Sequence, residues 1–241
     1  MAAVFAVLLL GLLAPATAAA DPAAAATAAA TVPPASSCDD VITPLRRDQA
    51  DKALGSWVLV GVVTDRKTGL PLHASSFMEL SLSEDNSSFT YIERSGLGNE
   101  PCNRFRIMGN ITDDANLTLR LHTLVPLCAA VSELGGPREC FGQITLFQSC
   151  PSCPEDRLTF NYRGVYDPTD SNSTAVQFVM NYRREGEHQD LEALKEVPLS
   201  TRQQAVCLNM TEITGEYSYD GVTELCLRKK PTTEDLFSAP R

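Results

Sequence analysis

Eight short segments rich in β-branched, aromatic and aliphatic residues follow one another along this chain, and glycine, proline, asparagine, aspartate or serine separates them. Such segments are typical of β-strands. They comprise residues 56–64, 76–83, 88–94, 104–110, 116–124, 140–148, 157–164 and 175–183. This series predicts an all-β fold, an eight-stranded antiparallel up-and-down barrel, because closure removes the exposed sheet edges that invite aggregation.

The pattern changes after the eighth segment, at residues 187–197. Apolar residues recur there at helical spacing among charged ones, which predicts one C-terminal helix with a single apolar face. These residues are Leu191, Leu194 and Val197. Eight strands followed by a helix resembles the order of the lipocalins, and this resemblance implies that the helix packs outside the barrel. We expect Pro198 to end the helix, because proline lacks a backbone N–H. Residues 200–203 then resemble a capping box that begins a short turn into Cys207.

The N-terminal residues 1–20 have the features of a secretory signal peptide, with an apolar core followed by proline and a run of small residues. The core is too short to span a bilayer, and no later stretch approaches the roughly 20 apolar residues that a transmembrane helix needs. We expect cleavage after Ala18 or Ala20, an extracellular protein and no transmembrane anchor.

Composition divides the remaining chain into three parts. Residues 21–37 are rich in alanine and proline and predict a disordered lead-in. Residues 38–230 have the size of one ordinary domain. Residues 231–241 are expected to form a flexible tail.

The cysteines and the glycosylation motifs agree with an exported protein. All eight cysteines follow the predicted signal peptide, and an even number in a secreted chain predicts disulfides. Five N-glycosylation sequons begin at Asn86, Asn110, Asn116, Asn172 and Asn209. We therefore expect a disulfide-bonded glycoprotein in which each of these asparagines faces solvent.

Charge and spacing argue against several classes of function. The net charge of −10 opposes binding to nucleic acid or to anionic membranes. The histidines are widely spaced and form neither a metal triad nor a catalytic set; they are His73, His122 and His188. The motif Cys150-Pro-Ser-Cys153 lacks the βαβ context of a redox site, and the cysteine spacings lack paired zinc knuckles. We expect no metal, no cofactor and no enzyme activity.

Gly55-Ser56-Trp57 opens the first predicted strand, seventeen residues after Cys38. A short tryptophan-led strand just after the first cysteine resembles the start of a lipocalin, a ligand-carrying β-barrel. The resemblance implies that the glycine lets the chain turn under the barrel floor and that the tryptophan plugs this floor. It also implies an arginine over the indole, which is either Arg183 or Arg184.

Four cysteines are placed as in the orosomucoid, or α1-acid glycoprotein, family. The resemblance extends over most of residues 38–230 and implies two disulfides, Cys38 with Cys207 and Cys102 with Cys226. The chain is also similar to apolipoprotein M and to fish plasma proteins that bind tributyltin, saxitoxin and tetrodotoxin. Four cysteines lie outside this pattern and are expected to form two more disulfides; they are Cys128, Cys140, Cys150 and Cys153.

Alternation along the strands predicts the inner wall of the barrel only in part. The residues expected to face inward are Leu59, Gly61, Leu158, Phe160, Tyr162, Val176, Phe178, Met180 and Tyr182. Alternation does not choose between Phe89/Tyr91 and Thr90/Ile92 on the third strand, or between Leu117/Leu119/Leu121 and Thr118/Arg120/His122 on the fifth.

The orosomucoid resemblance implies that Ile92, Arg94 and Arg120 line the pocket. Because the first arginine replaces an acidic residue of that family, the pocket is expected to prefer anionic or neutral head groups. The ligand-binding residues predicted from sequence and resemblance together are Leu59, Ile92, Arg94, Arg120, Phe160, Tyr162, Phe178 and Met180.

The resulting functional hypothesis is a monomeric secreted carrier of a small hydrophobic or amphiphilic ligand, such as a lipid, steroid, drug or toxin-like molecule. The alternative is an acute-phase or immune-modulating glycoprotein that acts through surface contacts with other proteins. A lipocalin-type isomerase is disfavoured. The resemblance implies that such an enzyme would use a free thiol on an early strand, inside the barrel. No cysteine lies between Cys38 and Cys102.

Overall fold

A computed structural model describes residues 37–65, 74–97, 102–112, 114–123, 140–149, 155–166, 175–223 and 226. Short 3-10 helices lie at Cys38–Asp40 and Arg47–Ala53. The strands are β1 (Thr43–Pro44), β2 (Gly55–Thr64), β3 (Ala74–Leu82), β4 (Ser88–Leu97), β5 (Asn103–Ile111), β6 (Thr118–Thr123), β7 (Cys140–Gln148), β8 (Arg157–Tyr166), β9 (Ala175–Arg184) and β10 (Gly215–Ser218). The helix α1 spans Leu191–Cys207.

Strands β2 to β9 form a closed antiparallel up-and-down barrel. Each strand pairs with the next along the chain, and β9 pairs with β2 to complete the closure. β1 pairs with β7, and β10 pairs with β2. We name the end of the barrel where β2 begins, at Gly55, the floor end, and the end where β2 finishes, at Thr64, the upper end. All eight predicted barrel strands are confirmed, with small differences at their ends.

A β-bulge in β2 reverses the predicted direction of Gly61. The register between β2 and β9 shifts between Leu59 and Gly61, and Val62 becomes the next residue of β2 in the interior. Gly61 faces α1, where an added Cβ would lie 2.5 Å from a methyl group of Val197. The prediction that Gly61 faces inward is therefore wrong, because one extra residue inverts the alternation of a strand.

Helix α1 continues through Pro198, so the predicted break at this residue is wrong. Val197 and Thr201 are buried on either side of the proline. The hydroxyl groups of Ser200 and Thr201 both donate to the Val197 carbonyl, at 3.0 and 2.7 Å. Packing against the barrel thus offsets the cost of an internal proline, which is about 3 kcal/mol. The helix begins later than predicted, after the N-cap Asp190.

Helix α1 lies against the outer face of the barrel. Apolar contacts join Val60 to Leu194 and Val197, and Val179 to Ala205. Beside them is a hydrogen-bonded group of buried polar side chains, which we name the polar seam. Its members are Ser149, Thr159, Asn161, Gln177, Asn181, Thr201 and Gln204.

Two disulfides hold the ends of the domain to the barrel. Cys38 bonds to Cys207 and Cys102 bonds to Cys226, which are the pairs implied by the resemblance. The first closes a loop with a sequence separation of 169 residues. In the chain-entropy account a loop of this size destabilises the unfolded state by about 5 kcal/mol.

Several sequence predictions lie outside the described residues. They concern the signal peptide, the disordered lead-in, the C-terminal tail, Asn172, and the side chains of Cys128, Cys140, Cys150 and Cys153. Within the described part of the chain, no helix is long and apolar enough to cross a membrane.

Candidate ligand-binding site

The barrel interior is lined by apolar and aromatic side chains from every barrel strand. The predicted residues Leu59, Phe160, Tyr162, Phe178 and Met180 all lie in this interior cluster. Three aromatic pairs cross it, with ring centroids 5.0 Å apart for Phe160 and Tyr182, 6.0 Å for Tyr162 and Phe178, and 6.5 Å for Tyr91 and Phe160. Such tilted arrangements add to the stability that burial of the rings provides.

Ile92 and Arg94 lie on the outer face of β4, which corrects the prediction that they line the pocket. The interior residues of this strand are Phe89 and Tyr91, and successive residues of a strand face opposite sides. Arg94 pairs in register with Phe77 and stacks on its ring, with 5.3 Å between guanidinium carbon and ring centroid. Its Nη2 donates to the Glu79 carboxylate at 3.0 Å.

Arg120 also lies on the outer face, and its side chain is exposed. The interior residues of that stretch are Leu117, Leu119 and Leu121. Arg120 pairs in register with the exposed residues Asn110 and Gln143. Arg120 therefore does not line the barrel interior, which corrects that part of the prediction, but it contributes to the wall of a cavity at the upper end.

A polar cluster that the sequence reasoning missed lies on the inner face of β3 and β4. Glu93 follows Phe89 and Tyr91 at the same period of two. Its carboxylate accepts hydrogen bonds from the hydroxyl groups of Tyr91 and Ser76, the latter at 3.1 Å. The alternation Phe89, Tyr91, Glu93 was the available signal, whereas the orosomucoid resemblance implied the opposite face of the strand, with Ile92 and Arg94 inside.

Burial sets the protonation behaviour of this cluster. Burial raises the pKa of Glu93 above its ordinary value of 4.5, while hydrogen bonds from Tyr91, Ser76 and Ser95 oppose the rise. Burial also raises the pKa of Tyr91 and of Tyr182, and the neighbouring Glu93 carboxylate adds to both increases. The tyrosines therefore remain neutral donors, and Glu93 is the ionisable group of the cluster.

Trp57 lies buried at the floor end. Its indole N–H donates to the Ala53 carbonyl at 2.9 Å. Arg184, one of the two expected candidates, stacks on the indole with its guanidinium carbon 4.2 Å from the ring centroid. The same guanidinium donates to the carbonyls of Leu54 and Lys52, at 2.7 and 3.0 Å. A cation over a tryptophan face and two backbone acceptors together hold the floor in place.

Gly55 begins β2 directly before this floor. Its φ of +109° lies in the region that only glycine adopts readily. An added Cβ would also lie 2.9 Å from the Arg184 guanidinium. The turn into the barrel therefore requires glycine both for its backbone conformation and for the space beside the arginine.

Free space is distributed unevenly between the interior and the upper end. The interior cavity has a volume of about 20 Å³. Its wall comprises Leu80, Phe89, Tyr91, Ile107, Gly109, Leu119, Leu121, Ile144, Phe160, Tyr162 and Met180. A larger cavity of about 560 Å³ lies at the upper end. Its wall combines residues of the inner face, Leu121, Gly142, Gly164 and Val176, with residues of the outer face, Arg120, Gln143, Arg163 and Gln177.

Tyr162 lines the interior cavity and contacts two glycines that line the larger cavity. Gly142 and Gly164 pair in register on adjacent strands, and the Tyr162 ring covers both. A Cβ added at either glycine would collide with the ring. The two glycines therefore form a shelf on which the tyrosine lies flat against the wall.

The remaining candidate residues lie at the surface or away from the interior. Asn86, Asn110, Asn116 and Asn209 are exposed, as glycosylation would require. His188 is buried beside Tyr219, and burial lowers its pKa. In the described residues, no cluster of three or more histidine, cysteine, aspartate or glutamate side chains could hold a metal ion.

The architecture decides the class of fold. An eight-stranded up-and-down barrel, closed on itself and covered by one external helix, is the architecture of the lipocalins. The protein has a lipocalin fold. No model of a known protein family matches the chain.

Two curated proteins are similar in sequence to most of this chain. The chain is 27% identical over 197 residues to saxitoxin and tetrodotoxin-binding protein 1 of Takifugu pardalis, which covers 80% of this chain and 45% of that protein. Protein 2 of the same organism is also 27% identical, over 198 residues and with the same coverage. The chain thus spans less than half the length of these curated relatives.

Two solved lipocalin structures are similar to this one at low identity. The siderocalin Ex-FABP has a TM-score of 0.44 at 10% identity, covering 67% of this chain and 89% of its own. Lipocalin 12 from rat epididymis has a TM-score of 0.39 at 14% identity, covering 64% of this chain and 79% of its own.

Proposed function

We propose that the protein is a secreted, glycosylated carrier that binds a small hydrophobic or amphiphilic molecule inside the barrel for transport or sequestration. The observation that carries this proposal is the interior wall, which is apolar and aromatic except for the polar cluster around Glu93. An apolar enclosure with a few convergent polar groups is typical of small-molecule sites. The relatives whose names describe toxin binding support the same class of function.

The charge inside the barrel favours a ligand with a hydrogen-bond donor or a positive charge. Glu93 faces inward, whereas Arg94 and Arg120 lie on the outer face. A carboxylate in an apolar enclosure favours a cationic partner and opposes an anionic one. This reverses the preference for anionic or neutral head groups that the sequence predicted from the arginines.

Ligand binding requires the interior to expand. A volume of about 20 Å³ holds roughly one water molecule, whereas typical ligand pockets measure about 300–1,000 Å³. Tyr162 is the side chain best placed to move, because it lines the interior cavity and contacts two glycines that line the cavity of about 560 Å³ at the upper end. We propose that a ligand enters from the upper end and displaces this ring from the shelf formed by Gly142 and Gly164.

The first test is native mass spectrometry of the secreted, enzymatically deglycosylated protein, followed by organic extraction and identification of the released compounds. The carrier proposal predicts a bound small molecule in a ratio of one per chain. A protein that is always empty, and whose Trp57 fluorescence no hydrophobic probe changes, would contradict the proposal.

A second test concerns the charge preference. A cationic amphiphile and a neutral one of the same length are titrated into wild type, Glu93→Gln and the outer-face control Glu79→Gln. Glu93→Gln is expected to weaken the cationic probe about tenfold, since a hydrogen bond to a charged group contributes about 1.5–3 kcal/mol. The neutral probe should bind all three proteins equally. Equal losses in both variants would show that Glu93 does not contact the head group.

The small interior volume favours one alternative, an acute-phase or immune-modulating glycoprotein that acts through its surface. Four exposed sequon asparagines would then carry glycans that shape the contact surface. An empty barrel combined with specific capture of a protein partner would support this alternative over the carrier.

The secreted location rests on the N-terminal sequence features and on the disulfides Cys38–Cys207 and Cys102–Cys226, since such bonds persist in oxidising compartments. We propose a monomer without catalytic activity. Mass spectrometry of glycopeptides from the exported protein tests the sequons, and light scattering after size exclusion tests the oligomeric state.

A further inference from the structure

Two arginine side chains lie directly opposite each other on the outer face of β8 and β9, near the floor end. Arg157 and Arg183 are partners in the antiparallel register of these strands. Their neighbours Leu158 and Tyr182 face the interior, so both arginines face outward, toward α1. Like charges directly opposite each other in a sheet are destabilising. This pair therefore needs compensation by negative charge.

Only part of that compensation is visible among the described residues. Asp156 accepts hydrogen bonds from Nε and Nη2 of Arg183, the former at 3.1 Å. The side chain of Arg183 is 8% exposed, and its Nη1 is buried without a hydrogen-bond partner in the described part of the chain. Nε of Arg157 is likewise buried without such a partner. Asp156 bonds to Arg183 through Oδ2, and its Oδ1 is also buried without a hydrogen-bond partner among the described residues.

Arg157 and Arg183 both contribute to the wall of a cavity of about 180 Å³ between α1 and the barrel wall. Helix α1 contributes Ser200, Gln203 and Gln204 to its wall, and the barrel contributes Ser149 and Asn181 beside the two arginines. Asp40 lies at its rim with an exposed side chain. Val41, Val60, Ala193 and Val197 add apolar surface to the same wall. The cavity is therefore lined by both polar and apolar groups, is partly enclosed and lies outside the barrel interior.

We propose that this cavity is a binding site for a small oxyanion, such as a phosphate, sulfate or carboxylate group. Guanidinium groups present planar sets of N–H donors that match the oxygens of these anions. An anion between Arg157 and Arg183 would accept from the buried donors and relieve the repulsion across the strands. The Gln203 amide supplies a neutral donor from the helix side. A bound neutral molecule would satisfy the donors but would leave the repulsion in place.

The site is separate from the proposed ligand site in the barrel. It connects α1 to the β8–β9 wall, and its occupant would tie the helix to the barrel beside the polar seam. Binding to the folded state alone would raise the melting temperature in proportion to the logarithm of the anion concentration above the dissociation constant. This effect requires no ligand inside the barrel.

The experiment is calorimetric titration of the full secreted protein with inorganic phosphate, at an ionic strength held constant with sodium chloride. Wild type is expected to bind one phosphate saturably. Arg157→Gln removes one donor group without breaking the Arg183–Asp156 pair, and it should weaken binding at least tenfold. Arg106→Gln, which removes an exposed arginine from β5, should leave binding unchanged.

A parallel arm uses glycerol phosphate, which distinguishes a free anion from the anionic head group of a larger molecule. Tighter binding of the ester would indicate a head group, and tighter binding of inorganic phosphate would indicate the free ion. Either result supports an oxyanion site if the difference in affinity between the two phosphates disappears in Arg157→Gln. NMR signals of the Arg157 and Arg183 Nε–H groups should shift during the same titration.

Three results would overturn the proposal. The first is no saturable binding of either phosphate at constant ionic strength. The second is an equal loss in Arg157→Gln and Arg106→Gln, which would indicate general charge attraction. The third is a high-resolution structure in phosphate that shows only water beside the two guanidinium groups.

Discussion

The two faces of the barrel wall under helix α1 are both buried, but they bury side chains of opposite polarity. On the inner face, β8 and β9 present Phe160, Tyr162, Phe178 and Met180, which exclude water by apolar packing. On the outer face, the same strands present four members of the polar seam, which are also buried: Thr159, Asn161, Gln177 and Asn181. The comparison shows that burial alone does not require apolar residues, provided that every polar group finds a partner.

The two solutions differ in what they permit. Apolar packing is non-directional, so side chains of the inner face can rearrange around a ligand at moderate cost. The seam depends on directed bonds: Asn181 accepts from Thr159 at 2.6 Å and donates to Thr201 and Gln204 at 2.7 and 2.8 Å. It therefore fixes the position and register of α1. The interior is the adaptable region, and the seam is the rigid one.

The largest effect is expected from truncation of the interior. Phe160→Ala should lower the free energy of unfolding by about 3–5 kcal/mol, because it removes a fully buried ring and leaves a cavity. Denaturant unfolding measures this loss. The control Val222→Ala, at a position that is 80% exposed, should change stability by less than about 0.5 kcal/mol. A similar small change in both variants would show that the interior does not carry the stability of the fold.

The seam should respond to loss of its central amide. Asn181→Ala leaves Thr159, Thr201 and Gln204 without their shared partner and should cost about 1–3 kcal/mol. Hydrogen exchange should also show faster opening of α1, whereas the barrel strands keep their protection. Gln143→Ala, at an exposed outer position of β7, is the matched control. Unchanged exchange in α1 would contradict the role assigned to the seam.

The smallest effect concerns Glu93 and depends on pH. Because burial raises its folded-state pKa above 4.5, the folded protein binds this proton more tightly than the unfolded chain does. Its contribution to stability is therefore present below pH 4.5 and is lost as the pH rises through the folded-state pKa. Each unit of pKa difference corresponds to about 1.4 kcal/mol. Glu93→Gln should lack this decline when unfolding is measured between pH 4 and 8; identical pH profiles would contradict the account.

The strands and disulfides were predictable from the sequence because their signals are local or strongly patterned. Turn residues separate the eight segments, and clean alternation placed Phe160, Tyr162, Phe178 and Met180 inside. The pairing of Cys38 with Cys207 followed from the resemblance to orosomucoid. The strands and their inner faces required only spacing along the chain, whereas the disulfide pairing required the resemblance to a known family.

The wrong predictions share a different physical cause, because each of these features depends on tertiary packing and not on the local sequence. The sequence of β4 is compatible with either face pointing inward. A register error of one residue therefore placed Arg94 inside in place of Glu93. The bulge at Gly61 depends on the approach of α1, and the continuity of the helix at Pro198 depends on burial of Val197 and Thr201. Local propensity could not anticipate these contacts.

The most direct test of the central claim, binding inside the barrel, uses the methionines as reporters. Met78 and Met180 lie in the interior cluster, Met108 is 51% exposed, and Met210 lies outside under α1. NMR of protein with labelled methionine methyl groups, recorded during titration with the extracted molecule or a hydrophobic probe, separates these positions. The account predicts shifts of the Met78 and Met180 signals and constant signals for Met108 and Met210. Shifts confined to Met108 or Met210 would contradict it.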